Sequence, residues 1–222
     1  MKAAVIGLGK IGLPIAITIA DAGIQVTGGD ASPKVVEEVN SGRAPFPGEP
    51  GLVEGIQRSL SSGLLRATTD NAEAAKNADI IVVIVPMYVD DQGIPDYSIL
   101  ESVSRDIGSV LHAGQTVIYE TTLPVGATRS RLAPILTEVS GLKAGHDFHV
   151  VHSPERVFSG RVFADLKRYP KIIGGLTPSC GDIAKDFYQQ VLVFDDRPDL
   201  DRLNGVWDLG SVEAAEFAKL AE

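Results

Sequence analysis

Three glycines, Gly7, Gly9 and Gly12, stand at G-x-G-x-x-G spacing between an apolar run, Lys2–Ile6, and an amphipathic stretch, Leu13–Ala20. In a strand–turn–helix unit each does a different job. Gly7 permits the tight turn, Gly9 lets the backbone approach a pyrophosphate, and Gly12 lets the helix pack against the strand. The free N–H groups and positive dipole end of such a helix favour an anion. Pro14 in the first turn costs nothing there, because its missing N–H would have no helical partner. Asp30 follows a second apolar run, Ile24–Thr27, and the pair Gly28–Gly29. An acidic residue at the end of the second strand is where an adenine ribose 2′-hydroxyl is gripped, and its charge repels a 2′-phosphate. The spacing therefore points to NAD rather than NADP. A simpler alternative makes Asp30 a turn residue or the cap of the next helix.

Further polar residues sit where other strands end. The run Asp79–Val85 is continuously apolar, as a strand buried on both faces requires, and it ends at Pro86-Met87. Gln115–Tyr119 runs into Glu120-Thr121-Thr122, and Phe148–Val151 into His152-Ser153-Pro154-Glu155-Arg156. Ligands of open α/β sheets bind outside the carboxyl ends of the strands, so these groups are expected to converge on the cofactor and its substrate. Thr122 can hold a water or a substrate oxygen, Glu155 can act as a general base, and Arg156 can pair with an anionic substrate. Read alone, the dipeptide Glu155-Arg156 is more simply a surface ion pair.

The elements that must position these residues follow from periodicity. Ser32 caps a helix with Pro33 at its first position, and Gly42–Gly51, with three prolines and three glycines, is a loop. Helical spacing resumes over Leu52–Leu60, Thr69-Asp70 opens a short helix over 72–76, and Val89–Pro95 is turn-rich. Helices are expected at Tyr97–Leu111, Ala127–Ser140, Ser179–Gln190 and, capped by Ser211, Val212–Glu222. Strands are expected at Lys171–Ile173, at Val191–Phe194 and over Val206-Trp207. Strands alternating with helices at this spacing predict an α/β fold, a doubly wound, mostly parallel, Rossmann-like sheet over 1–210. Residues 211–222 would then begin a long interdomain helix. The pattern stops inside that helix without a glycine, cap or turn, and the expectation is a piece of a longer enzyme.

Composition narrows the function classes. A formal charge of −9 argues against nucleic acid as the main partner, and no apolar run approaches a membrane span. No signal peptide is visible, and the single cysteine, Cys180, excludes an internal disulfide framework, so a reducing, cytoplasmic setting is expected. His149 and His152 fall on opposite faces of their strand, and no Cys or His spacing matches a zinc site, so no metal is expected. Cys180, at the start of a helix, where the dipole can favour a thiolate, is either a reactive thiol or, more simply, a passive small residue.

The ordered strings GLGKIGLPIA, GGD, VIVP, ETTLPVG, SPERVFSGR, KIIGGLTP and SVEAAEFAKLAE together resemble the amino-terminal, NAD-binding part of the UDP-glucose/GDP-mannose dehydrogenases. PERV-x-x-GR and IGG-x-TP are most similar to the branch that oxidises UDP-N-acetylhexosamines, with UDP-N-acetylmannosamine the expected substrate. The resemblance implies oxidation of a C6 alcohol to a uronate by two NAD, through a covalent adduct on a cysteine. Residue by residue, it implies that Lys10 and Ile11 flank the pyrophosphate and that Thr122 lies near the nicotinamide and the catalytic water. It further implies that Glu155 assists thioester hydrolysis, that Arg156 and Val157 contact the substrate, and that Lys219 stabilises an oxyanion or shuttles protons. A UDP-sugar would be the substrate, the full-length enzyme a homodimer through its long helix, and this piece a monomer or weak dimer that binds NAD without turnover. The chain departs from the family pattern in three ways. Met87-Tyr88 follow VIVP where Thr-Pro is expected, Ser159 replaces a glutamate of the UDP-glucose branch, and neither the asparagine four residues after Lys219 nor the Gly-x-Cys nucleophile falls within it. A UDP-glucose or GDP-mannose 6-dehydrogenase, a β-hydroxyacid dehydrogenase and a stand-alone NAD-binding scaffold or sensing module remain the alternatives.

Overall fold

The computed structural model describes all of residues 1–222. In chain order the elements are β1 (Lys2–Ile6), α1 (Gly12–Asp21), β2 (Gln25–Gly29), α2 (Pro33–Asn40), α3 (Leu52–Ser61), β3 (Leu65–Thr68), α4 (Asn71–Ala75) and β4 (Ile80–Val83). A small hairpin, β5 (Tyr88–Val89) and β6 (Pro95–Asp96), leads to α5 (Ser98–Gly108) and β7 (Thr116–Tyr119). A π-turn over Thr128–Leu132 runs into α6 (Ala133–Ser140), followed by β8 (His149–His152), α7 (Val162–Arg168) and β9 (Lys171–Gly175). The chain closes with α8 (Pro178–Val191), β10 (Val206–Asp208) and α9 (Val212–Leu220).

Eight strands form one sheet in the order β10-β9-β8-β7-β4-β1-β2-β3. The six from β3 to β8 are parallel, in the doubly wound order expected of a dinucleotide-binding sheet. From β1 the chain first builds outward through β2 and β3, then returns to build β4, β7 and β8 on the other side. A crevice therefore opens beyond the carboxyl ends of β1 and β4. β9 runs antiparallel to β8, and β10 runs parallel to β9. This reversal brings the amino end of β9, Lys171, to the edge where the parallel strands end.

Alternate residues of each central strand feed two separate cores. Ala3, Val5, Val82, Ile118 and Val151 pack under α1, α3 and α8, while Ala4, Ile6, Ile81, Val83, Val117 and Val150 pack under α4, α5 and α6. All four residues of β4 are buried, which explains its unbroken apolar sequence. Cutting one such isoleucine to alanine costs about 2–5 kcal/mol. Ser32, Asp70 and Ser211 cap α2, α4 and α9 by accepting from the N–H groups of Val35, Glu73 and Ala214.

Several elements differ from the sequence reading. Val191–Phe194 is no strand: Val191 ends α8, Leu192 N–H still donates to Tyr188 O, and Leu192 and Phe194 pack against the core. The free side of β9 is taken by β10 instead. The short edge strand β3, helix α7 and the hairpin β5–β6 carried no clear periodic signal. The last helix ends at Leu220 rather than Glu222. No helix is long and apolar enough to cross a membrane.

Candidate functional site

The three glycines of the first turn are required for different physical reasons. Gly7 has φ +100°, and a Cβ there would lie 2.6 Å from Ile84 O. A Cβ on Gly12 would lie 1.8 Å from Gly7 O, so α1 can start this close to β1 only without a side chain. Gly9 is constrained by neither: its φ is not positive, and no atom lies within 4 Å of a Cβ built on it. Its exposed backbone faces open space. The N–H groups of Gly9, Lys10, Ile11 and Gly12 have no acceptor in the protein, and α1 has no side-chain cap. Four unpartnered donors at the positive end of a helix form an anion-binding cradle.

Asp30 closes this turn. One carboxylate oxygen accepts from Leu8 N–H at 2.8 Å and the other from Ser32 N–H at 2.9 Å. The glycine loop is thereby tied to the start of α2, and each oxygen keeps a lone pair for a further donor. Across the crevice, exposed Pro86 and half-buried Met87 leave the end of β4. Thr121 is tied down, its hydroxyl donating to Val85 O at 2.6 Å, whereas the neighbouring Thr122 is exposed with a free hydroxyl. Lys10 and Ile11, Pro86 and Met87, and Thr122 thus line one edge of the sheet with the three glycines and Asp30.

Farther along that edge lies a buried charged cluster. The Lys171 ammonium reaches Glu155 Oε2 at 2.8 Å and Glu120 Oε1 at 3.0 Å. The Tyr188 hydroxyl also donates to Glu120 Oε1, and Glu155 N–H donates to Glu120 O at 3.2 Å. Glu120 Oε2 is buried with no donor. Burial raises the Glu120 carboxyl to about 8 despite the nearby Lys171. At Glu155 burial acts in the same direction, but the Lys171 charge and hydrogen bonds from Glu120, Lys171 and Arg156 N–H outweigh it, and the carboxyl lies below its ordinary range. Burial would pull Lys171 down, yet its two carboxyl partners hold it above its ordinary value, so it stays an ammonium. Burial and the Glu120 carboxyl keep the Tyr188 phenol protonated.

Glu155 and Arg156 do not form the surface pair suggested by the dipeptide alone. The Arg156 guanidinium pairs with Glu222, donates to Pro170 O and sits 6.0 Å from the Tyr169 ring. Lys219 approaches the same Glu222 at 3.8 Å, so Arg156 and Lys219 meet through it beside the crevice. Val157 is half-buried against the core. Glu49, itself buried, holds the following loop by accepting from Gly160 and Phe163 N–H. Lys171, Tyr188 and Glu49 were not singled out from sequence. A lysine opening the apolar run KIIGG was the one local signal.

Cys180 is fully buried beside Thr177 and 3.6 Å from His149 Nδ1, at the opening residue of β8. That is the opposite edge of the sheet from the crevice. His152 is fully buried with neither ring nitrogen partnered, and burial, reinforced by Lys171, lowers it to about 3, leaving it neutral.

Residues 1–192 match the family described as UDP-glucose/GDP-mannose dehydrogenase family, NAD binding domain. The UDP-N-acetyl-D-mannosamine dehydrogenase of Pyrococcus horikoshii is 39% identical over 191 residues, 85% of this chain and 44% of that protein. The enzyme of that name from Escherichia coli K12 is 36% identical over 224 residues, 98% of this chain and 50% of that protein. A solved structure of the UDP-D-ManNAc dehydrogenase of P. horikoshii superposes with TM-score 0.89 at 34% identity, covering 99% of this chain and 49% of that one. The chain thus spans about half the length of these relatives. Together with a sheet order and glycine turn suited to a dinucleotide, these matches show that the chain belongs to the UDP-glucose/GDP-mannose dehydrogenase family, as its NAD-binding domain.

Proposed function

We propose that this chain is the NAD-holding part of a nucleotide-sugar 6-dehydrogenase acting on a UDP-N-acetylhexosamine, with UDP-N-acetylmannosamine its substrate. The observation that carries the reading is Gly9: neither packing nor backbone conformation requires a glycine there, while four free N–H groups surround it. A pyrophosphate supplies the missing requirement. Gly7, Gly9, Lys10, Ile11 and Gly12 hold it, and Asp30 accepts from the adenine ribose hydroxyls. Pro86, Met87 and Thr122 border the nicotinamide. When bound, NAD supplies a hydride acceptor.

The other residues arrange the sugar and its protons. Glu155, ionised and reaching the crevice, takes a proton from a substrate hydroxyl or orients a water. Arg156 and Val157 contact the substrate, and Lys219 donates to a developing oxyanion. The two relatives above, both acting on UDP-N-acetyl-D-mannosamine by name, support the substrate class. Because Cys180 is buried on the far edge, this chain alone binds NAD without completing the oxidation. A reducing, cytoplasmic setting suits its one free thiol. Phe217 and Leu220, 64% and 52% exposed on α9, support a homodimer of the whole enzyme through that helix, with this chain alone a monomer or weak dimer.

Amide resonances test both halves of this reading. NAD added to the labelled chain should shift Gly9, Lys10, Ile11 and Gly12 first, and UDP-N-acetylmannosamine should shift Arg156 and Val157. Shifts confined to other surfaces would refute the respective half.

A further inference from the structure

Glu120 stands outside the roles assigned above, yet it is the most deeply buried carboxyl at the crevice edge. It has no exposed surface, whereas the Glu155 side chain is 11% exposed. The groups facing the pair are Lys171 at the start of β9, the Tyr188 hydroxyl on α8 and the Arg156 backbone N–H. The Arg156 guanidinium is turned to Glu222, and His152 on β8 is neutral. With both carboxyls ionised, two anions would share one ammonium, leaving a net negative charge in a site that solvent reaches only at the edge of Glu155. A buried charge without its own partner is strongly destabilising, because little solvent is there to replace the lost hydration. The unsatisfied atom is Glu120 Oε2, which has no donor within reach. One proton placed between Glu120 and Glu155 both supplies that oxygen with hydrogen and makes the cluster neutral.

We propose that Glu120 and Glu155 share a single resident proton across Lys171, with Glu120 the positioning residue that carries it and leaves Glu155 the ionised, crevice-facing base. Oε1 of Glu120 accepts from Tyr188 and Lys171, so the proton resides on Oε2 and is donated to Glu155. Glu155 Oε1, which accepts only from the Arg156 N–H at 2.9 Å, keeps a lone pair that can take a proton from an O–H in the crevice: that O–H bond breaks as the new one forms on Glu155, and its electron pair stays on the substrate oxygen. Glu120, held above the ordinary carboxylate range by burial, and Glu155, held below it by Lys171 and its hydrogen bonds, agree with this division. The residence of the proton is independent of the function proposed above; only the crevice-facing role of Glu155 rests on it.

Infrared spectroscopy of the chain labelled with ¹³C-glutamate tests the pair. At pH 7 the wild type should show the carbonyl band of one protonated glutamate, lost as pH rises through about 8. Both E120Q and E155Q should abolish it, because a lone carboxyl facing Lys171 ionises. E155Q alters the more exposed partner and keeps the test available if E120Q does not fold. Absence of the band in the wild type, or its persistence in E155Q, would overturn the shared proton. With the band present, the midpoint should be lower with NAD⁺ bound than with NADH, the oxidised ring being cationic. Equal midpoints in the two bound forms would overturn the crevice-facing role of Glu155. A band that behaves as described in a chain that binds no NAD would refute the proposed function and leave the pair intact.

Discussion

Replacing Gly9 by alanine separates what the turn requires from what a ligand requires. In the free protein the new methyl meets nothing within 4 Å and the backbone needs no positive φ. Stability should therefore stay within about 0.5 kcal/mol of wild type, or rise slightly from the loss of glycine's freedom in the unfolded chain. The same methyl on Gly12 would lie 1.8 Å from Gly7 O and must displace the turn. G12A should thus lose several kcal/mol, since overpacking alone costs about 1–3 and the strained turn adds to it. Binding reverses the order of interest. A methyl at Gly9 holds a pyrophosphate away from the free N–H groups, and the loss of one or two charge-assisted hydrogen bonds costs about 2–3 kcal/mol. That is a roughly 30- to 150-fold weaker NAD complex. Urea unfolding of the free variants and calorimetric titration with NAD provide both numbers. A G9A variant as destabilised as G12A, or one that binds NAD like wild type, would refute the division of labour among these glycines.

Other expectations follow from the buried polar groups. His152 is held neutral at about 3 while the unfolded chain titrates near 6.5, so the unfolded state binds the extra proton between these values and stability falls as pH drops below 6.5. At pH 5 that amounts to about 2 kcal/mol, to be read as the change in the wild-type-minus-H152F difference between pH 7 and pH 5; no change would show that His152 is not buried neutral. Glu120 works in the opposite sense: it is raised to about 8 from 4.5, so its contribution to stability declines from pH 4.5 to about 8, and E120Q should flatten a loss of thermal stability over the upper part of that range. Glu216 on α9 accepts from Gly126 and Thr128 N–H at 2.5 and 2.8 Å, fixing the helix to the loop that carries Thr122. E216A should lose about 2–4 kcal/mol and speed hydrogen exchange at both amides, whereas a loss below 0.5 kcal/mol would show the contact to be dispensable.

What could be read from sequence was what local physics determines. The glycine turn, the Ser32-Pro33 helix start and the apolar β4 each depend on a few neighbouring residues, and each stands in the structure as its residue types require. β3 has only Leu65–Thr68 and pairs on one side, so its alternation is too short to separate from a loop. Val191–Phe194 is apolar enough for a strand, but tertiary packing uses that character to close the core after α8. The antiparallel turn of β9 has no local signature, yet it brings Lys171 to Glu120, 51 residues earlier in the chain. The charged cluster was therefore visible only as separate letters. Glu155 was found by its position after a strand, while the groups that set its charge come from the residue after β7, from β9 and from α8.

The most direct measurement is calorimetric titration of this chain with NAD⁺ and NADP⁺ under identical conditions. With the Gly9 cradle free and Asp30 at the end of β2, NAD⁺ should bind at least about tenfold more tightly than NADP⁺, and D30A should weaken NAD⁺ binding and narrow that gap. No heat with either cofactor, or equal affinity for both, would contradict the assignment of this crevice to NAD.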